Sequence, residues 1–212
     1  MKKKRNILCS ILLIIVLLAG YIPAVFGYDL ADNPSEEEMV EILTQTGVID
    51  SAYDDLKSNA VSRGTIVKMA LTAAGYSADW MQGSTKQMFL DVFSDNENFT
   101  FINYAFENGI INGFGNGTFR PDDEVTLIEA LAIVMRTFGY KVPAEVSGGY
   151  EGAYASIGTQ QGFLKGIKAS LNEGISYADA VRLLYNALNA SSVKTNTATG
   201  EYYIDSEETK FN

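Results

Sequence analysis

A mainly helical fold built from three helix–loop–helix repeats is what this 212-residue chain predicts. Three observations carry that reading. Apolar residues recur at three- and four-residue steps, as at Ile128, Leu131, Met135 and Phe138, which is the period of a helix with one buried face. A hydroxyl residue stands just before each of three such runs, at Ser62, Thr126 and Ser176, where its side-chain oxygen can accept an N–H of the first turn. The stretches Val61–Leu71, Val125–Met135 and Ile175–Tyr185 also align with one another. One unit of this size cannot bury its apolar face, whereas three stacked units can.

The elements follow in order. Ser35 and Glu38 form a capping box for a first helix, each satisfying a backbone N–H of the other. Gly47 ends that helix ahead of the apolar pair Val48-Ile49, and the pattern returns at Gly109 with Ile110-Ile111 and at Gly162 with Phe163-Leu164. Glu129 and Asp179, three residues after their caps, can reach back to them; Thr65 does so less well. Gly75-Tyr76 and Gly139-Tyr140 end two of the second helices, since glycine takes the left-handed cap conformation without steric cost. Gly113–Gly117 reads as a turn whose glycines supply positive φ. Arg120 is expected to be extended, because Pro121 disfavours the helical region for the residue before it. The units are drawn at residues 28–86, 87–148 and 149–189. Residues 190–212 are expected to be a Ser/Thr/Asn/Ala linker followed by the opening of a further segment of a longer protein.

The N-terminus has a basic start, Lys2-Lys3-Lys4-Arg5, an apolar run from Ile7 to Ala19, and a small-residue site at Val25-Phe26-Gly27. That is the layout of a secretory signal peptide over residues 1–27, cleaved after Gly27. The 13 residues of its apolar run fall short of the roughly 20 that span a bilayer. Membrane contact is therefore expected only through the leader before cleavage. The single cysteine, Cys9, sits inside the run and is read as a small apolar residue. Without the leader the chain has no cysteine and no histidine, which excludes a disulfide framework, thiolate or imidazole metal sites, and cysteine or histidine catalysis. The exported part then has 12 basic residues against 26 acidic ones, a net charge of −14. Such a surface repels phosphate backbones, so nucleic acid is not an expected partner.

Asp95–Asn98 and Asp122–Glu124 are rich in oxygen ligands, but neither has the alternating acidic ligands, central glycine and closing glutamate of a calcium loop. Asn98, Asn116 and Asn189 open glycosylation sequons, a pattern too short to mean much in a chain rich in Asn and Thr. Nothing in the spacing selects a carboxylate pair for glycoside hydrolysis. Neither enzymatic activity nor a cofactor is expected.

Linked motifs in the second unit carry a family resemblance. Phe89-Leu90-Asp91-Val92, Gly109-Ile110-Ile111-Asn112-Gly113 and Gly117-Thr118-Phe119-Arg120-Pro121-Asp122 resemble, in order, the signatures of the S-layer homology module, which usually occurs in threes after a signal peptide. The resemblance is moderate in unit one, weaker in unit three, and covers nearly all of Ser35 to Asn189. It implies a pseudo-threefold, three-pronged arrangement around a central helical bundle. It also implies secretion, non-covalent attachment to the bacterial cell wall, and binding of secondary cell-wall polysaccharides, often carrying pyruvate ketals, in grooves between prongs.

In that family, binding centres on a Thr-Arg-Ala-Glu-like tetrapeptide opening each second helix. Its chemistry is clear without the family: a helix N-terminus favours an anion, and an arginine fork matches a carboxylate. Here the tetrapeptides are Ser62-Arg63-Gly64-Thr65, Thr126-Leu127-Ile128-Glu129 and Ser176-Tyr177-Ala178-Asp179. The fork is supplied once. The candidate ligand-binding residues are accordingly Ser62, Arg63 and Gly64, with Arg120 closing the groove and Thr126 and Ser176 as the equivalent caps. Against these stand plainer readings: Arg63 as an exposed first-turn arginine, and Arg120 as a turn residue paired with Asp122 or Asp123. Trp80 is expected to pack between prongs rather than stack on a sugar. The leading expectation is a non-catalytic wall-anchoring module acting mainly through unit one. The alternative is a scaffold with decayed glycan sites, its grooves meeting surface-layer neighbours.

Overall fold

The computed structural model describes residues 33–50, 52–81, 86–141, 150–197, 199 and 201–209. The leader with Cys9 and the boundary placed between residues 148 and 149 lie outside them. The fold is mainly α, as predicted. Its helices are α1 (Glu36–Gln45), α2 (Tyr53–Leu56), α3 (Arg63–Ala73), α4 (Phe99–Glu107), α5 (Leu127–Thr137), α6 (Tyr150–Gln160) and α7 (Tyr177–Asn189), followed by strands β1 (Ser191–Thr195) and β2 (Tyr202–Thr209).

The helices start where the caps predict. Ser35 Oγ accepts the Glu38 N–H at 3.2 Å while Glu38 takes the Ser35 N–H at 2.9 Å. Ser62 Oγ accepts the Thr65 N–H at 3.2 Å, and Ser176 Oγ accepts the Asp179 N–H at 3.1 Å. At α5 the Thr126 N–H donates to Glu129 at 3.0 Å. A cap of this kind is typically worth about 1 kcal/mol. Gly75 and Gly139 follow the ends of α3 and α5 at φ +88° and +91°, a conformation closed to most side chains.

Helices α3, α5 and α7 each touch the other two. Among the buried residues are Ile66, Val67, Ala70 and Leu71 of α3, Leu131, Val134 and Met135 of α5, and Val181, Leu184 and Tyr185 of α7. Burial of each large aliphatic side chain contributes about 1.5–3 kcal/mol. Around this centre α4 packs on α3, α6 on α5 and α1 on α7. Each of these outer helices therefore covers the second helix of a different sequence unit.

Just ahead of the caps, three backbone hydrogen bonds close a ring. The Val61 N–H donates to Ile175 O at 3.1 Å, the Ile175 N–H to Val125 O at 3.1 Å, and the Val125 N–H to Val61 O at 2.9 Å. These are aligned positions of the three sequence units. Within the ring-forming segments, Ala60 faces Ser176, Ser62 faces Glu124 and Thr126 faces Gly174 as antiparallel bridges.

The region expected to be a linker differs from prediction. Ser191–Thr195 is a strand, antiparallel to Tyr202–Thr209, with Val193 opposite Ile204 and Lys194 opposite Tyr203. The Tyr140 hydroxyl donates to the Ser191 carbonyl, and Lys194 pairs with Asp205 at 2.9 Å. β-Branched and aromatic residues suit a pleated ribbon, which outweighed the low apolar content on which the linker reading rested. Trp80 also departs from expectation: it is 78 % exposed and does not pack between elements.

Tyr140 is fully buried, and burial pushes its phenol up from 10.0 to about 12. Tyr53 is likewise pushed up to about 12, chiefly by burial and then by the charge of Glu36. Folding thus favours the neutral phenols. Their contribution to stability is complete below the unfolded value near 10.0 and is lost as pH rises through about 12. An alkaline titration followed by tyrosinate absorbance and circular dichroism should show the last phenols ionising together with loss of helix.

Candidate functional site

The start of α3 carries the only arginine among the three tetrapeptides, and the fold closes around it. The Arg63 N–H donates to Asp123 O at 2.9 Å and the Gly64 N–H to Pro121 O at 2.8 Å. The same exchange occurs at α5, where Leu127 and Ile128 donate to the Glu173 and Leu171 carbonyls at 2.9 and 2.8 Å. At α7, Tyr177 and Ala178 donate to Asn59 and Lys57 at 2.9 and 3.0 Å. The first-turn N–H groups that sequence offered to an anion are therefore occupied by carbonyls, because the loop before each capped helix lies across the start of another. Gly64 permits the close approach: a Cβ there would lie 3.0 Å from Asn98 Nδ2 and 3.1 Å from Pro121 O.

The Arg63 side chain crosses to the second sequence unit. Nε donates to Phe119 O at 3.1 Å and Nη1 to Glu129 Oε1 at 2.9 Å. Its guanidinium carbon lies 4.7 Å from the Phe114 ring centre and 4.8 Å from that of Phe119, within the range of cation–π attraction. The residue is 7 % exposed, so the reading of an exposed first-turn arginine does not hold. Nη2 makes no hydrogen bond with the described residues.

Glu129 serves two elements at once. Its Oε2 accepts the Thr126 N–H at 3.0 Å and the Thr126 hydroxyl at 2.9 Å, while Oε1 holds Arg63. Asp91, from the Phe-x-Asp-Val motif, accepts two successive N–H groups: Phe119 on Oδ1 at 2.8 Å and Arg120 on Oδ2 at 2.7 Å. Arg120 is consequently not extended; it sits at φ +58°. That conformation costs a non-glycine residue roughly 1–2 kcal/mol, which two hydrogen bonds to an ionised carboxylate can offset. The turn brings the Arg120 guanidinium to 4.2 Å from the Phe114 ring centre and 3.9 Å from Asp123. With both partners about half exposed, that ion pair contributes little.

Beside Arg63 opens a cleft of about 220 Å³, lined by Arg63, Ile111, Asn112, Gly113, Phe114, Glu129, Ile133 and Arg136. Arg136, on α5, donates to the Tyr154 hydroxyl at 2.8 Å and to Ile110 O at 3.3 Å. Gly113 is not a positive-φ glycine, unlike Gly115 and Gly117. It is required by proximity, since a Cβ would lie 2.6 Å from Phe89 Cε1 and 2.7 Å from Thr118 O.

Of the residues singled out from sequence, Arg63, Gly64 and Arg120 gather around Phe114, Phe119 and Pro121, with Ser62 capping the helix that carries two of them. Thr126 joins them through Glu129. Ser176 stands elsewhere, bonded to Asp179 at the start of α7. Leu127 and Tyr177 hold the first-turn position that Arg63 holds in α3; Leu127 is buried, and Tyr177 lies 6.2 Å from the Tyr53 ring. Sequence reasoning missed Phe114, Arg136 and the second role of Glu129. An aromatic between two glycines in a polar turn was an available signal for Phe114. Arg136 reads in sequence as an ordinary basic residue in a last helical turn. Among the described residues no three acidic side chains converge as a metal site.

Residues 89–131, which contain the Asp91–Phe119–Arg120 turn and Glu129, match the S-layer homology domain. A cell surface protein of Thermoanaerobacter kivui is 29 % identical over 149 residues, covering 70 % of this chain and 18 % of that protein. A middle cell wall protein of Brevibacillus brevis is 24 % identical over 128 residues, 60 % of this chain and 12 % of its own length. A surface layer protein of Brevibacillus choshinensis is 26 % identical over 128 residues, 60 % of this chain and 11 % of its own. The chain thus spans less than a fifth of each of these relatives.

Replacing Asp91 should loosen the turn that shapes this site. Asp91→Ala leaves two N–H groups without their acceptor and Arg120 without support for its left-handed backbone. A loss of about 2–3 kcal/mol is expected, read as a lower urea midpoint; Asp91→Asn, which keeps one acceptor oxygen, should lose about half as much.

Proposed function

We propose that this chain is a non-catalytic anchoring module that holds an exported protein at the bacterial cell wall. In this reading three S-layer homology repeats stand in pseudo-threefold, three-pronged order around the ring of Val61, Val125 and Ile175. The ligand is an acidic secondary wall polysaccharide, and the cleft beside Arg63 is where it is gripped. The family match over residues 89–131 and the wall and surface names of the relatives support the setting. The observation that carries the site is Arg63 itself. It lines the cleft next to the partly exposed Phe114 ring, is fixed through Nε and Nη1, and retains Nη2 for an incoming carboxylate. A sugar ring against Phe114 with its acidic substituent on Arg63 would use both halves of that arrangement. No helix among the described residues is long and apolar enough to cross a membrane.

A second reading is favoured by a different observation. The first-turn N–H groups of α3, α5 and α7 are taken by carbonyls, and only α3 has an arginine in that turn. On that reading the module is a scaffold that contacts neighbouring surface-layer subunits, with Arg63 serving as a packing residue.

Co-sedimentation of residues 28–212 with purified wall sacculi separates the two. Binding to intact sacculi, and its loss after chemical extraction of the secondary polymer, is expected. Arg63→Lys keeps the charge and removes the planar fork, so it should weaken pelleting about tenfold while retaining the helical spectrum. Undiminished pelleting by a folded Arg63→Lys variant would move Arg63 to the scaffold reading.

A further inference from the structure

The charged residues lining the cleft are Arg63, Glu129 and Arg136, so one carboxylate of the protein already sits where a ligand's carboxylate would be drawn. The geometry points to Glu129 as an internal competitor that sets how tightly, and for how much negative charge, the cleft binds. This rests on the reading that the cleft takes an acidic wall polymer.

Three features argue for it. Glu129 Oε1 lies 2.9 Å from Arg63 Nη1 and takes one of the two terminal nitrogens that would otherwise meet a carboxylate end-on. Glu129 is also not free to leave, because its Oε2 holds the Thr126 N–H and hydroxyl at the start of α5. The competitor is thereby built into a helix cap. Finally, Glu129 is only one of the groups that hold Arg63. The Phe119 carbonyl at 3.1 Å and the Phe114 and Phe119 rings fix the guanidinium from other directions. Neutralising Glu129 therefore leaves an arginine already in position and raises the cleft's formal charge from one positive to two.

The arrangement also explains how two incomplete tetrapeptides act together. Unit one keeps the arginine but has Thr65 three residues after its cap, whereas unit two keeps the glutamate but has Leu127 in the arginine's position. The fold joins the surviving half of each across the boundary between units. An acidic ligand binds in competition with that pair, and a ligand of higher charge density gains most when the glutamate is removed.

The test is a sacculus-binding isotherm for the wild type and Glu129→Gln, at low and high salt. A glutamine oxygen can still accept the Thr126 N–H. Tighter binding by about tenfold at low salt is expected for Glu129→Gln, shrinking as salt screens the cleft. Glu124→Gln removes a charge that does not line the cleft and should match the wild type. Should Glu129→Gln fail to fold, Glu129→Asp decides the matter. Asp179 already bonds the Ser176 hydroxyl at the matching position of α7, and the shorter side chain draws the carboxylate away from Arg63; binding severalfold tighter is expected. Equal or weaker binding by a folded Glu129 variant, or equal gains for Glu129→Gln and Glu124→Gln, overturns the role of Glu129 and leaves anchoring intact. Absence of wild-type binding overturns the anchoring reading and this inference with it.

Discussion

The starts of α3, α5 and α7 are each closed by backbone carbonyls from a distant segment, and this exchange is the constraint on which the rest of the molecule depends. A helix N-terminus leaves N–H groups without intrahelical partners, and burying them unpaired is costly. Here the Pro121 and Asp123 carbonyls serve α3, Leu171 and Glu173 serve α5, and Lys57 and Asn59 serve α7. The ring of Val61, Val125 and Ile175 lies at the centre of the same exchange. Beyond its own capping side chain, each helix start draws its carbonyl partners from another segment, which ties the pieces together. The packing of α1 on α7, α4 on α3 and α6 on α5 follows the same rule.

That closure decides what the candidate site can be. With its first-turn N–H groups occupied, α3 offers a ligand no open helix terminus, and side chains are what the cleft presents. Arg63 is brought out of the first unit into the aromatic and carbonyl surroundings of the second, where Phe114, Phe119 and Glu129 fix it. The Phe119–Arg120 turn is held in turn by Asp91. The residues of the Phe-x-Asp-Val and Gly-x-Phe-x-Pro motifs are thus parts of one device that positions the wall of a cleft.

Much of the fold was legible because its signals are local. Ser35, Ser62, Thr126 and Ser176 mark helix starts through chemistry that operates within three residues, and Gly75 and Gly139 mark ends through a conformation that glycine reaches at no steric cost. The spacing of Ile128, Leu131, Met135 and Phe138 gave the buried face of α5, and all four are buried. Local signals also misled. Pro121 argued for an extended Arg120, but the two bonds from Asp91, 29 residues away for Arg120, outweighed that preference. The small polar residues after Ala190 argued for a linker, yet pairing with Tyr202–Thr209 made them a strand. Trp80 argued for packing by its size and lies exposed.

The sequence by itself determined the helical class, the capped starts of α1, α3, α5 and α7, and that Arg63 is the only arginine among the three tetrapeptides, because caps, periodicity and residue chemistry are properties of neighbouring residues. It could not determine whether that arginine faced solvent, nor that its partner would be Glu129, 66 residues on. Burial and ion pairing depend on which surfaces meet. Only the folded chain brings the α3 start against the loop of the second unit, and that meeting turned a surface arginine in prospect into a buried one at the edge of a cleft.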